Sequence, residues 1–271
     1  MGDSILYSSP YNDDDYEKFL KDLIKRFEMD LTGYKQHRVR RRIDMLMRKH
    51  DYKSYSEYFN DLKSSDILWD EFLDKLTINV TEFFRNPEKW DYLKKDLLPK
   101  LYKEANNSLK IWSAGCSTGE EPYTLSIILN ESNMSRNSKV IAADLDKFVL
   151  KRAQEGIYDE RSLVNVDNSI KTKYFTKLQN NKYQVSPKLK SLINFKRINL
   201  LTDKFDTNHD LIICRNVVIY FDNPAKEALY KKFVDALKPG GVLFVGSTER
   251  IFNYREIGLK TIAPFFYQKE N

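Results

Sequence analysis

Along the first third of the chain, apolar positions recur at helical steps. Tyr16, Phe19, Leu20, Leu23, Ile24 and Phe27 fall three and four residues apart, behind Asp13, Asp14 and Asp15, which offer caps and negative charge at a helix start. Similar patterns cover about 34–49, 54–63 and 66–77, with breaks at Thr32-Gly33 and Asp51-Tyr52. They predict an all-helical domain over residues 1–78. The stretch NVTEFFRNPEKW then leads into a helix ending near Ala105, so residues 79–108 read as a connecting segment. From Lys110 the pattern changes. LKIWSA, KVIAAD, LINFKRINL, HDLIICRN and GGVLFVGS are short runs rich in Val, Ile and Leu, mostly separated by helical stretches. They predict an open parallel α/β sheet with helices on both faces over 109–271. Runs at 259–262 and 265–268, parted by Pro264, predict a closing antiparallel hairpin. Residues 157–192 break the alternation: YFTKLQNNKYQVS carries a turn-like Asn180-Asn181 between short strands, which predicts a small inserted β-subdomain.

Composition narrows the function classes. A 271-residue chain that is 41% hydrophobic and 13% aromatic can bury a substantial core. Its two cysteines, Cys116 and Cys214, stand far apart, and His37, His50 and His209 lack ligand spacing, so neither a disulfide scaffold nor a metal site is expected. No apolar run approaches the roughly 20 residues that span a bilayer. The opening MGDSILYSSPYNDDD lacks the basic-then-apolar order of a signal peptide and has Leu6 where myristoylation wants Ser or Thr. The expectation is a soluble, cytoplasmic protein. The net charge of +6 is mild for this length, so the position of the charge matters more than its sum.

In open parallel sheets the ligand sits outside the carboxyl ends of the strands, and the residues there are the candidates. After the first strand comes SAGCSTGEEPY. Gly115, Ser117, Thr118 and Gly119 permit close approach, yet Glu120 and Glu121 open the next helix and no lysine follows, the reverse of what a phosphate needs. These glutamates read either as a helix start favoured by the dipole or as contacts for a polyhydroxylated, cationic nucleotide ligand. The second strand ends in Asp144-Leu145-Asp146. A carboxylate there suits a ribose diol, and either aspartate could instead cap the next helix. Asn199-Leu200 and Asn216-Val217 follow the third and fourth strands. The spacing from Gly115 to Gly119 does not make G-x-G-x-x-G, which disfavours a dinucleotide.

Five blocks in order, TINVTEFFRNPEKW, IWSAGCSTGEEPYTLSIIL, AADLD, CRNVVIYFD and LKPGGVLFVGSTE, resemble the CheR-type methyltransferases, which methylate glutamate side chains of chemotaxis receptors. The similarity covers nearly the whole chain. It implies a Rossmann-like class I methyltransferase sheet with an all-α N-terminal domain, S-adenosyl-L-methionine as cofactor and S-adenosyl-L-homocysteine as product. Carried over position by position, it implies cofactor contacts from Asn79, Thr81, Arg85, Gly115, Glu121, Asp144 (favoured over Asp146), Asn199, Leu200, Asn216 and Val217. It places Arg85 and Tyr220 near the reacting methyl group and makes Gly240-Gly241 a turn before a strand. Methyl-accepting chemotaxis receptors are the implied partners, without nucleic acid, and a monomer is expected. A glutamate acceptor is ionised by roughly 500 to 1 at pH 7, so the chemistry calls for no general base and no triad.

Between residues 34 and 50 the chain carries seven Lys or Arg against one acid, Asp44. Placed on a helical wheel, Val39, Ile43, Leu46 and Met47 make one face, while Arg38, Arg41, Arg42, Arg48 and Lys49 gather on the other and Arg40 falls outside the stripe. The stripe is either a solvated face or, on the resemblance, the docking face for a glutamate-rich receptor helix. The tip of the insert, QNNKYQ, lacks the glycine-rich loop of family members that grip a tethering peptide. Two other readings stand beside this one: a methyltransferase acting on another acidic protein or on RNA, and a non-catalytic cofactor-sensing adaptor. Enzymes that methylate base amines commonly carry D/N-P-P-Y/F/W after the fourth strand, where this chain has Asn216-Val217-Val218-Ile219.

Overall fold

The computed structural model describes residues 7–27, 29–76 and 81–270. Contacts group the described residues before 77 with Tyr220–Lys226 in one unit, and residues 81–219 with those from 227 onward in another. The first unit is built on four helices: α1 (Asp13–Phe27), α2 (Gln36–Lys49), α3 (Tyr55–Leu62) and α4 (Asp66–Leu76). Their apolar faces meet in a core containing Phe19, Leu23, Ile43, Met47, Tyr58 and Phe72, all essentially inaccessible to solvent. Ile24 is an exception to the expected stripe: it lies at the edge of the face and is 39% exposed. The cap of α1 also differs from expectation. Asn12 Oδ1 accepts the Asp15 N–H at 2.9 Å, which leaves the three aspartates in the first turn, where the helix dipole favours them. Ser54 caps α3 by accepting the Glu57 N–H at 3.1 Å.

Asp44, the lone acid of the basic helix, is fully buried and accepts hydrogen bonds from the Tyr7 and Tyr55 hydroxyls. Arg40 lies 4.7 Å over the Tyr16 ring and pairs with Asp13, so it serves the packing of this unit. Residues 220–226 join the helices through backbone bonds: Lys35 N–H to the Tyr220 carbonyl at 2.9 Å, Asp222 N–H to the Gly33 carbonyl at 3.0 Å, and a β-bridge between Tyr34 and Phe221.

The described part of the second unit begins in an irregular segment with a turn at residues 83–86 that leads into α5 (Pro87–Tyr92) and α6 (Leu98–Glu104), with a π turn at Leu93–Leu97 between them. Pro99 explains the turn: it has no N–H to donate and its ring crowds the carbonyl one turn back, so the helix widens there. Alternation follows, with β1 (Lys110–Ala114), α7 (Glu120–Glu131), β2 (Lys139–Asp144) and α8 (Lys147–Glu155). Next come β3 (Ile157–Asp159), α9 (Asn168–Tyr174), β4 (Phe175–Lys177), β5 (Lys182–Val185) and α10 (Pro187–Lys190). The chain ends in β6 (Ile193–Arg197), β7 (His209–Cys214), α11 (Asn223–Ala236), β8 (Leu237–Val245), β9 (Leu259–Ala263) and β10 (Phe266–Lys269).

Seven strands form one sheet in the order β6-β2-β1-β7-β8-β10-β9, parallel from β6 to β8 and closed by the antiparallel β10 and β9. Because β2 and β7 flank β1 on opposite sides, the strand order reverses at β1 and opens a crevice at its carboxyl end. One face of the sheet packs Trp90, Leu97, Leu125, Ile128 and Phe244. Strands β3, β5 and β4 make a separate antiparallel sheet, whose aromatic core takes in Phe83 from the entering segment. Gly240 and Gly241 are not a turn ahead of β8 but lie inside it. Between the pairs His209↔Leu237 and Leu211↔Val242, β7 advances two residues and β8 five, so the glycines accommodate a looped-out irregularity.

Candidate active site

The crevice at the tip of β1 is lined by turns whose backbone only certain residues can adopt. Gly115 has φ of +79°, and a Cβ there would lie 2.4 Å from Val217 Cγ2, so glycine lets the turn after β1 meet the turn after β7. Gly119, with φ of +97°, starts α7 in the same left-handed region. The two glutamates that follow part company. Glu120 is buried and accepts the Thr118 hydroxyl at 2.7 Å, so its carboxylate is spent on the turn itself. Glu121 accepts the Ser113 hydroxyl from β1 at 2.8 Å and lies 3.5 Å from Arg215 Nη1. Burial pushes the Glu121 carboxyl up, opposed by the Arg215 charge and the Ser113 hydrogen bond.

At the tip of β2 the structure separates the two aspartates. Asp146 caps α8, with one oxygen accepting the N–H groups of Phe148 and Val149. Asp144 accepts the Ser117 N–H at 2.8 Å and the Asp146 N–H at 3.1 Å. Its backbone carbonyl takes the Ile198 N–H at 3.0 Å, which brings the Asn199-Leu200 turn alongside. Burial pushes the Asp144 carboxyl up to about 6, partly offset by those amide donors. In the next turn Asn199 folds on itself, its Oδ1 accepting the Leu201 N–H at 3.0 Å, and Leu200 is buried.

Gly115, Glu121, Asp144, Asn199, Leu200, Asn216 and Val217 therefore converge on one end of the sheet. Thr81 lies in the irregular segment ahead of α5 and is half-buried. Arg85, also half-buried, accepts with its carbonyl from Trp90 Nε1 at 3.0 Å and from Arg215 Nη2 at 2.8 Å. Asn79 lies outside the described residues. Tyr220 groups with the helical unit, where the Arg42 guanidinium lies 5.4 Å over its ring. Of the basic residues on α2, Arg41, Arg48 and Lys49 are exposed while Arg38 and Arg42 are half-buried. Lys49 pairs with Glu71 at 2.6 Å, and Arg42 also donates to the Leu76 carbonyl.

Two residues that the sequence reading left without a role complete the site. Glu249 is buried and takes the N–H groups of Asn216, at 2.6 Å, Gly246, at 2.8 Å, and Ile219, at 3.3 Å; the Val217 amide bonds to it as well. It thus fixes the turn after β7, where Asn216 has φ of +59°. Arg215 is buried beside it. Each is a charge that closely follows a buried strand, Arg215 immediately after β7 and Glu249 four residues after the end of β8. A charge in such a place needs a buried partner, and that was the available signal.

The donors at this edge are carboxylates, side-chain amides and backbone turns, with a glycine cradle that a Cβ would fill. They suit a ligand bearing an ammonium, a sulfonium and a ribose diol better than one bearing phosphate. Family models decide the matter: one described as CheR methyltransferase, SAM binding domain matches residues 79–262, and one described as CheR methyltransferase, all-alpha domain matches residues 14–77. The chain belongs to the CheR methyltransferase family. Its fold is accordingly a class I methyltransferase sheet with an all-α N-terminal domain, and its cofactor is S-adenosyl-L-methionine. Three relatives are similar along almost their whole length. A chemotaxis protein methyltransferase of Listeria innocua is 40% identical over 255 residues, covering 94% of this chain and 97% of the relative. One from Borreliella burgdorferi is 37% identical, covering 94% of each chain. Chemotaxis protein methyltransferase 2 of Pseudomonas aeruginosa is 31% identical, again covering 94% of each. Among the described residues no helix is long and apolar enough to cross a membrane.

Proposed function

We propose that this protein transfers the methyl group of S-adenosyl-L-methionine to glutamate carboxylates of methyl-accepting chemotaxis receptors, forming glutamyl methyl esters, and that it does so in the cytoplasm. The observation that carries the reading is the near-complete coverage, in both directions, between this chain and relatives named chemotaxis protein methyltransferase. When bound, the cofactor supplies an electrophilic methyl group on a sulfonium. Asp144 holds the ribose diol, Glu121 faces the ammonium, and the turns at Asn199-Leu200 and Asn216-Val217 contact the adenosine. Gly115 lets the backbone come close. Asn79, Thr81 and Arg85 belong to the same set by the resemblance, and Arg85 and Tyr220 serve the reacting end.

The chemistry asks little of the protein beyond alignment. The acceptor is already ionised, and opposite charges are annihilated on the way to the transition state, so a dry site that holds the groups in line accelerates the step. A site of carboxylates and arginines, rather than of a nucleophile and its base, supports that division of labour. Arg38, Arg41, Arg42, Arg48 and Lys49 provide the basic face for an acidic acceptor helix.

Labelled methyl transfer to a receptor fragment tests the reading. The label is expected in receptor and is expected to leave in mild alkali, as an ester does. Label that enters RNA, or that survives alkali as an N-methyl group does, overturns it. Tyr220→Phe and Arg85→Ala are expected to lower kcat or weaken cofactor binding by at least about tenfold, or roughly 1.4 kcal/mol. Wild-type turnover with unchanged cofactor affinity in both variants would remove their assigned roles.

A further inference from the structure

Arg215 carries no role in the function proposed above, yet its guanidinium links two separate elements at the sheet's edge. It follows a strand, β7, in which every residue is buried, and is itself only 8% exposed. Its fork reaches two elements at once. Nη2 donates to the Arg85 carbonyl and to Asn86 Oδ1, each at 2.8 Å, while Nη1 lies 3.5 Å from Glu121 Oε2. The guanidinium lies 5.4 Å from the Trp90 ring centre and 5.0 Å from that of Phe244, so aromatic faces help to fix its plane.

The segment it grips needs such a hold. Phe84 and Asn86 have φ of +54° and +61°, left-handed backbone that costs free energy for residues with a Cβ. Trp90 Nε1 and Arg215 Nη2 share the carbonyl between them. A lysine could neutralise Glu121 but could not bond the turn and the carboxylate together, since it lacks a planar fork.

We propose that Arg215 is a positioning residue for cofactor binding: it fixes the Glu121 carboxylate and the Arg85-Asn86 turn in one arrangement, so that the two elements present their contacts together. The inference rests on the cofactor role proposed for Glu121. The charged and titratable groups facing Glu121 are Arg215, Glu249, Cys116 and Cys214, with Arg85 beside Arg215. Burial keeps both thiols protonated, and Glu249 is bonded by backbone amides. Arg215 is thus the cation that offsets the burial of Glu121.

Calorimetric titration of the full chain with S-adenosyl-L-homocysteine, between pH 7 and 8 where Asp144 is already ionised, separates the possibilities. Wild type is expected to give a nearly flat profile over this range. Arg215→Gln is expected to bind at least about tenfold more weakly, and because loss of the opposing cation moves the Glu121 carboxyl further up, the pH dependence it adds runs toward tighter binding at higher pH. Glu121→Gln is expected to lose a similar factor without that pH dependence. The double variant should be no weaker than the weaker single variant, since one arrangement has already been lost. Arg215→Lys keeps the charge and guards against a folding defect; it should keep the flat profile while still losing affinity through the Arg85-Asn86 turn. Wild-type affinity in both Arg215 variants, or full additivity in the double variant, overturns the proposal. Unchanged affinity in Glu121→Gln overturns the cofactor role of Glu121 itself, and this inference falls with it.

Discussion

On the ribose contact proposed for Asp144, its carboxylate is the group on which the pH dependence of cofactor binding is expected to turn. It sits at the tip of β2, held by the amides of Ser117, Leu145 and Asp146 and pushed up to about 6 by burial. Only the ionised form accepts two ribose hydroxyls, so affinity is expected to fall roughly tenfold between pH 7 and pH 5, and Asp144→Asn is expected to bind weakly with no such fall. The folded value lies above the ordinary carboxylate range, so the sign for stability is opposite. Protonation below about 6 favours the folded state, and this group does not weaken the fold over that interval. Calorimetry paired with thermal melts across the range checks both halves. Gly115 makes a steric counterpart: Gly115→Ala forces a Cβ against Val217 in left-handed backbone, at a cost on the order of 2 kcal/mol, visible as a lowered Tm and a raised cofactor Kd. Glu249→Ala strips the acceptor from the turn after β7, and the same two measurements should move further. None of this depends on Glu120, whose carboxylate is occupied by Thr118.

At the level of elements, the strands were legible because a parallel sheet buried on both faces writes itself as unbroken apolar runs, and KVIAAD and HDLIIC are such runs. The helices α1 to α4 were legible from their stripes. What stayed hidden was set by partners distant in sequence. Asp13 and Asp15 turn to Arg40 and Ser56, and the irregularity in β8 came from pairing with β7. Likewise, Asp144 and Asp146 are equivalent in composition and differ only in which amides they meet. The α2 stripe shows the same lesson. Arg42 is engaged with Leu76 and Tyr220, whereas Arg41 is exposed, so Arg38→Glu with Arg41→Glu is the cleaner reversal. It should raise the KM for receptor several-fold with cofactor Kd unchanged, and an equal loss of both would sink the docking assignment.

For the molecule as a whole, charge and connectivity matter more than any single contact. With a net charge of +6 and the acidic acceptor proposed above, the KM for receptor is expected to rise several-fold from roughly 0.05 to 0.5 M salt, while cofactor Kd changes little. The helical unit looks N-terminal on paper, yet Gly33, Tyr34 and Lys35 find their partners in residues 220–222. On a ribosome, therefore, this unit waits for about 145 further residues after its fourth helix before its last edge can be sealed. Synthesis order and completion order are inverted, and a nascent chain stalled before residue 220 carries a helical unit with that edge open to whatever it meets.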